Sequence, residues 1–174
     1  MTGEPAGTAG HRADAASRNA RCAVVIVSDK RTVATDESGP LARHLLEASG
    51  HTVEHFALLP NNQNRVREEV AELIARDDID VIILSGGTGL GVRDRTVEAI
   101  EPLIEKELPG FGELFRFVSF QEQVGTAAML TRAVAGSARG HFIVSLPGSK
   151  AAVELALTKL LLPELRHILH ELQR

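Results

Sequence analysis

Val81-Ile82-Ile83-Leu84-Ser85-Gly86-Gly87-Thr88-Gly89-Leu90-Gly91-Val92-Arg93-Asp94-Arg95-Thr96 is the stretch whose reading decides the fold. Its first four residues are apolar, three of them β-branched, and glycines follow, so the pattern predicts a buried strand that stops in a glycine-rich loop. Glycines there allow positive φ and let backbone N–H groups approach a ligand that side chains would otherwise block. Two further apolar runs have the same form: Cys22 to Val27 ends at Ser28-Asp29, and His141 to Leu146 ends at Pro147-Gly148-Ser149. Continuous apolar runs of this length suit strands covered on both faces.

Helical spacing fills the intervals. Leu41, His44, Leu45 and Ala48 would share one helix face closing at Gly50, and Val53, Phe56 and Leu58 suggest a strand running up to Pro60. Asn61 or Asn62 can cap a helix bearing Val66, Val70, Leu73 and Ile74, and Asp94 or Thr96 one bearing Ala99, Ile100, Leu103 and Ile104. Pro109-Gly110-Phe111-Gly112 reads as a break. A helix containing Leu114, Phe115, Val118 and Phe120 follows to about Glu122, with a short one over Thr126 to Leu130. Arg132 to Gly136 suggests a strand of opposite direction. Ala152, Val153, Leu155, Ala156 and Leu160 fall on a helix, and Pro163 breaks or restarts a last one ending at Leu172. Strands alternating with helices predict a three-layer α/β/α single domain over residues 21–174, with a mostly parallel sheet. Residues 1–20 lack apolar periodicity and read as a disordered tail. Arg12 and Arg18 among small residues would also suit a transit peptide, but Glu4 and Asp14 count against it.

Composition narrows the function. The 174 residues are 44% hydrophobic and only 3% aromatic, so the core must be aliphatic. A net charge of -4 argues against a general electrostatic hold on nucleic acid or anionic membrane, while leaving room for a local anion site. Cys22 is the single cysteine, which excludes an internal disulfide and a cysteine-based metal cluster. No apolar run approaches a membrane span and the N-terminus has no apolar signal core, so a cytoplasmic protein is expected.

In an open parallel sheet, ligands sit beyond the carboxyl ends of the strands. Four loops qualify: Ser28-Asp29, Pro60-Asn61-Asn62, Ser85 to Asp94, and Pro147-Gly148-Ser149. Helix N-termini and stacked amides favour an anionic ligand. The central loop matches neither GxxxxGK[ST], since no lysine follows its glycines, nor GxGxxG, since these fall at positions 86, 87, 89 and 91. Asp94 can be either a helix cap or a hard oxygen ligand for Mg²⁺ beside phosphates. Asp29 and Asp36 are turn or cap residues that could also face phosphate, and Ser149 reads as a cap. His51 and His55, and His167 and His170, read as exposed polar positions without metal-binding companions. Arg65, Arg67, Arg93, Arg95, Arg132 and Arg139 read as solvated charges, with Arg93 or Arg95 near enough to the loop to meet phosphate.

The ordered motifs Ser85-Gly86-Gly87-Thr88-Gly89, Arg93-Asp94-x-Thr96, Pro109-Gly110-Phe111-Gly112-Glu113, Arg132-Ala133-x-Ala135-Gly136 and Leu146-Pro147-Gly148-Ser149 together resemble the MoaB/MogA family of molybdenum-cofactor biosynthesis proteins. Val27-Ser28-Asp29 and Asp36-x-Ser38-Gly39 match its opening, and the texture leans to the MoaB side. The resemblance spans about Cys22 to Leu165. It implies a molybdopterin-binding α/β domain, a homotrimer or homohexamer, with the molybdenum-insertion protein as a further partner. In active members, molybdopterin is adenylylated by Mg²⁺-ATP. Carried over by motif, Asp94 would be the catalytic acidic residue holding Mg²⁺. Substrate and nucleotide would be lined by Ser28, Asp29, Asp36, Ser38, Gly39, Ser85, Gly86, Gly87, Thr88, Gly89, Pro147, Gly148 and Ser149. Members of the MogA type carry an acidic residue just past the proline of the second loop, where this chain has Asn61, so a noncatalytic molybdopterin-binding role is the alternative.

Overall fold

The computed structural model describes residues 19–174, so positions 1–18 of the expected tail lie outside the described residues. Its last residue, Ala20, belongs to the domain: it is buried, its N–H donates to His51 Nδ1 at 3.0 Å, and its carbonyl accepts from the Thr52 N–H at 2.9 Å.

The strands are β1 (Arg21–Val27), β2 (Thr52–Leu59), β3 (Val81–Ser85), β4 (Lys106–Glu107), β5 (Val134–Ala138) and β6 (His141–Leu146). They form one sheet in the order β2-β1-β3-β6-β5-β4, parallel from β2 through β6, with β5 and β4 antiparallel. The helices are α1 (Ser38–Ala48), α2 (Gln63–Ile74), α3 (Thr96–Ile100), α4 (Pro109–Ser119), α5 (Lys150–Leu155) and α6 (Leu162–Leu172).

Alternation along the apolar strands divides the core in two. Val24, Ile26, Val81, Ile83, Val144 and Leu146 point to one side, where Leu46 of α1, Phe111 and Phe115 of α4, Val153 of α5 and Leu165 of α6 cover them. Val25, Val27, Ile82, Leu84 and Ile143 point to the other, against Val66, Val70 and Leu73 of α2 and Ile100 of α3. Each buried aliphatic side chain contributes about 1.5–3 kcal/mol, so the three central strands are held from both faces and their carboxyl ends form a fixed rim. The three-layer α/β/α domain and mostly parallel sheet are those the apolar runs predict.

Several local expectations change. On α1 the buried face is Ser38, Gly39, Ala42 and Leu46, whereas His44 and Ala48 are exposed. Gly39 sets this rotation: a Cβ there would lie 2.5 Å from the Phe56 ring, so the helix approaches β2 through its glycine. The residues expected to act as a break, Pro109 to Gly112, are instead the first turn of α4, where proline is tolerated because that N–H has no helical partner. Neither Asp94 nor Thr96 caps α3. Arg95 precedes it without a side-chain cap, and the chain passes at Pro102 into a 3₁₀ turn, Glu101–Leu103. Asn62, by contrast, caps α2, accepting from the Asn64 and Arg65 N–H groups, each at 3.1 Å. The strand Lys106–Glu107 has two charged residues and no apolar pattern to announce it. His51 is buried rather than exposed, and His55 bonds Glu69 at 2.6 Å. His167 and His170 are half-buried, and His167 meets Glu164 at 3.2 Å.

Candidate functional site

The rim is assembled by the loops after β1, β2, β3 and β6. After β3, Gly86 takes φ 111° and its N–H donates to the Leu146 carbonyl at 2.9 Å, which splices the glycine loop to the end of β6. A Cβ on Gly86 would collide with the Val27 carbonyl, so only glycine passes between β1 and β6 here. Ser85 is buried and donates its hydroxyl to the Pro147 carbonyl at 3.2 Å. The loop then turns back on itself: Asp94 Oδ2 accepts from the Gly91 N–H at 3.1 Å.

The loops enclose a cleft of about 400 Å³ lined by Ser28, Arg31, Asn61, Gly86 to Gly89, Asp94, Pro147 and Gly148, with Ala127, Leu130 and Thr131 closing one side. A second compartment of about 430 Å³ shares Ser28, Asn61 and Asp94 with it and adds Asp29, Lys30 and Arg93. A larger cavity, about 500 Å³, lies between α4 and β5 around Glu113, Arg116 and Val134. Volume does not decide between them. The smaller cleft is the one bounded by glycine-loop backbone at the carboxyl ends of parallel strands, where amides can meet an anion.

A sequence profile of the family described as "Probable molybdopterin binding domain" matches residues 23–167, which takes in every one of these loops. The chain belongs to this molybdenum-cofactor biosynthesis family. It is similar to molybdenum cofactor biosynthesis protein B of Halalkalibacterium halodurans, 46% identical over 162 residues that cover 93% of this chain and 95% of the relative. A crystal structure of molybdenum cofactor biosynthesis protein B superposes with TM-score 0.87 at 43% identity, covering 90% of this chain and 98% of that one. The tungsten cofactor synthesizing protein MoaB from Pyrococcus furiosus superposes with TM-score 0.78 at 37% identity, covering 90% and 99%.

Within this domain the residues picked out by sequence separate into two sets. Ser28, Asn61, Gly86, Gly87, Thr88, Gly89, Asp94, Pro147 and Gly148 line the cleft, and Asp29 lines its neighbour. Asp29 Oδ1 also accepts from the Asn61 N–H at 2.8 Å, tying the first two loops together. The other set stands behind the wall. Ser149 caps α5, accepting from the Ala152 N–H at 3.2 Å. Asp36 and Ser38 are buried, with Asp36 accepting from the Ser38 N–H, the Ser38 hydroxyl and the Gly39 N–H at 3.1, 2.8 and 3.0 Å. Asp36 is therefore not placed to substitute for an acidic group at position 61.

Two arginines matter whose work the sequence does not show: Arg31 is not singled out there, and Arg132 reads as a solvated charge. Among the described residues Arg31, in the β1 loop, is the one cation on the cleft lining. Arg132 lies behind the glycine loop. Its Nε donates to the Gly89 carbonyl at 3.1 Å, its Nη2 to the Asp94 carbonyl at 3.1 Å, and its Nη1 to Glu98 at 2.6 Å. That hydrogen bond holds the Glu98 pKa below its ordinary value. Drawing the carbonyls backward fixes the loop in one conformation.

Asn61 Oδ1 and Thr96 Oγ1 are buried and make no hydrogen bond among the described residues. Both face the glycine loop: a Cβ on Gly87 would sit 2.6 Å from Asn61 Oδ1 and would also strike Thr96 Oγ1. For Mg²⁺ the donor set is adequate, since it commonly takes one or two carboxylates together with substrate phosphates, and Asp29 and Asp94 line one compartment. Among the described residues no three or more His, Cys, Asp or Glu side chains are grouped to hold a metal. No helix among them is long and apolar enough to cross a membrane.

Proposed function

We propose that this chain binds molybdopterin in the strand-end cleft and adenylylates it with Mg²⁺-ATP. The observation that carries the reading is the composition of one wall: glycine-loop amides and, among the described residues, a single cation, Arg31, and a single carboxylate, Asp94, around about 400 Å³. The terminal phosphate oxygen of molybdopterin would attack the α-phosphorus of ATP, forming a P–O–P bond as the α,β bond breaks and pyrophosphate leaves. Such a transfer asks for positioning and charge neutralisation rather than a covalent protein intermediate. Gly86 to Gly89 would hold the phosphate, and the neighbouring compartment, with Lys30 and Arg93, would receive the departing polyphosphate. Asp94, with Asp29, would hold Mg²⁺, which when bound neutralises the triphosphate charge.

The test is incubation with molybdopterin, Mg²⁺ and ATP. Adenylylated pterin and pyrophosphate are expected, and Asp94→Ala should abolish both. Product from Asp94→Ala at the wild-type rate would remove Asp94 from the mechanism. Absence of product from protein shown to bind molybdopterin would remove the enzyme reading.

Asn61 favours a second reading, a molybdopterin-binding protein of the same pathway without turnover. A neutral amide is a weaker metal ligand than a carboxylate, and here its oxygen is turned against Gly87. That reading predicts binding without product, and product from Asn61→Asp.

Assembly as a homotrimer or homohexamer is supported by exposed apolar side chains at Leu114, Phe117, Phe120, Val124, Met129 and Leu130. Light scattering on the purified chain tests it, and a monomer at micromolar concentration would rule it out.

A further inference from the structure

Asp36-x-Ser38-Gly39 is a motif that the cleft does not use directly, yet it is buried beside it and built around one side chain. Arg31 Nη1 donates to Ser38 Oγ at 2.7 Å and lies 3.4 Å from Asp36 Oδ1, while Nη2 donates to the Gly148 carbonyl at 2.7 Å. Ser38 and Asp36 are 0% and 6% exposed, and the Arg31 side chain is 29% exposed. The Arg31 backbone is fixed as well, its N–H donating to Ser28 Oγ at 3.2 Å. Both terminal nitrogens are thus held, Nη1 by buried acceptors and Nη2 by the carbonyl of cleft-lining Gly148, which leaves the guanidinium's remaining N–H groups to the cleft. Nε–H has no protein partner among the described residues.

We propose that Arg31 is the residue that binds the ligand's terminal phosphate, and that Asp36 and Ser38 are positioning residues that aim it. The inference rests on the molybdopterin reading of the cleft. An arginine suits the task because its planar fork meets phosphate with two parallel hydrogen bonds and stays charged at every working pH. Holding the fork in place beforehand removes most of the side-chain entropy that an unrestrained arginine loses on binding. It also gives the buried motif a role that its distance from the ligand would otherwise deny it.

The experiment compares equilibrium affinities of molybdopterin and its dephosphorylated form, for wild type, Arg31→Ala, Arg31→Lys and Ser38→Ala. In wild type the phosphate should improve affinity about tenfold to a hundredfold, the worth of a charged hydrogen-bonded pair. Arg31→Ala should remove most of that ratio, leaving only the share of the Gly86 to Gly89 amides, while the dephosphorylated ligand binds almost as before. Ser38→Ala and Arg31→Lys should fall between, the first because the guanidinium is unaimed and the second because the fork is lost. If Arg31 only tied the β1 loop to Gly148, both ligands would weaken together and the ratio would stay, which overturns the proposal.

Inorganic orthophosphate, which has no polyphosphate tail to engage the Lys30 and Arg93 compartment, supplies the independent arm. It should raise the melting temperature of wild type more than that of Arg31→Ala. If wild type binds neither pterin form but shows this Arg31-dependent shift, the pterin reading falls and the anion role stands. A shift of equal size in Arg31→Ala overturns the anion role itself.

Discussion

Arg132→Ala tests how the glycine loop is held. The side chain donates to the carbonyls of Gly89 and Asp94, each at 3.1 Å, and to both oxygens of Glu98, at 2.6 and 3.3 Å. An intramolecular hydrogen bond is worth about 0.5–1.5 kcal/mol net, and one to a charged group about 1.5–3 kcal/mol. Arg132 and Glu98 side chains are 30% and 31% exposed, so water replaces part of what is lost, and the ion pair counts near the lower end. The expected cost is about 2–3 kcal/mol. For a domain of this size that lowers the melting temperature by roughly 4–12 °C.

Because the contacts converge on one loop, the loss should also be local. Amide hydrogen exchange over residues 86–96 should quicken more than exchange over β1 or β6, whose amides are protected by the sheet. Glu98, freed from the hydrogen bond that depresses its pKa, should titrate closer to its ordinary value. Phosphate-bearing ligands should bind more weakly, since their amide donors would no longer be preorganised. A melting temperature within 1 °C or so of wild type, with unchanged exchange in the loop, would show that the loop's conformation is set by its glycines alone.

Burial, with Arg166 nearby, lowers the His51 pKa from its usual 6.5, and its Nδ1 must stay unprotonated to accept from the Ala20 N–H. The unfolded chain therefore binds a proton that the folded chain refuses: His51's share of stability is complete above about pH 6.5 and is lost as pH falls from there toward the depressed folded value. Urea midpoints between pH 8 and 5 should fall less steeply in His51→Gln than in wild type, and equal slopes would refute this. Cys22 is 0% exposed and its thiol is pushed up to about 12, chiefly by burial. A thiol-specific disulfide reagent should stay unreactive with native protein at pH 8 and react once urea unfolds it, and fast labelling of the native state would contradict the packing. Gly86→Ala meets both a left-handed φ and the Val27 carbonyl, so a loss of at least about 2 kcal/mol is expected from thermal or urea melts.

The layers of the fold were legible because β1, β3 and β6 lie in the middle of the sheet. A strand covered on both faces must be apolar at every position, and Val81 to Leu84, Cys22 to Val27 and Phe142 to Val144 show that plainly. Where burial is one-sided or the element is short, local pattern loses authority. α1 turns its Gly39 side toward Phe56 rather than the face with more apolar residues, which no helical periodicity can anticipate. β4 exists through two backbone pairings with Ser137 and Gly136, and pairing leaves no mark on Lys106 and Glu107.

The site shows the same division with a different cause. Residues whose backbone meets the cleft were legible, because a glycine loop requires Gly86 and Gly87 at positive φ, whatever else surrounds it. Residues that act by side-chain reach were not. Arg31 and Gly148 are 117 positions apart and meet at 2.7 Å, and Arg132 reaches loop carbonyls 38 to 43 positions away. An isolated arginine in a sequence is reasonably read as solvated, since most are. What distinguishes these two is the set of acceptors waiting for each guanidinium; those of Arg132 are loop carbonyls and Glu98, and those of Arg31 are buried and visible in the sequence only as an aspartate and a serine at a helix start. Asp36-x-Ser38-Gly39 therefore looked like ligand-binding chemistry when its visible work is to hold Arg31. In a phosphate site the motif and the residue that touches the phosphate need not coincide, because the cation must face the ligand while the groups that orient it must stay out of water.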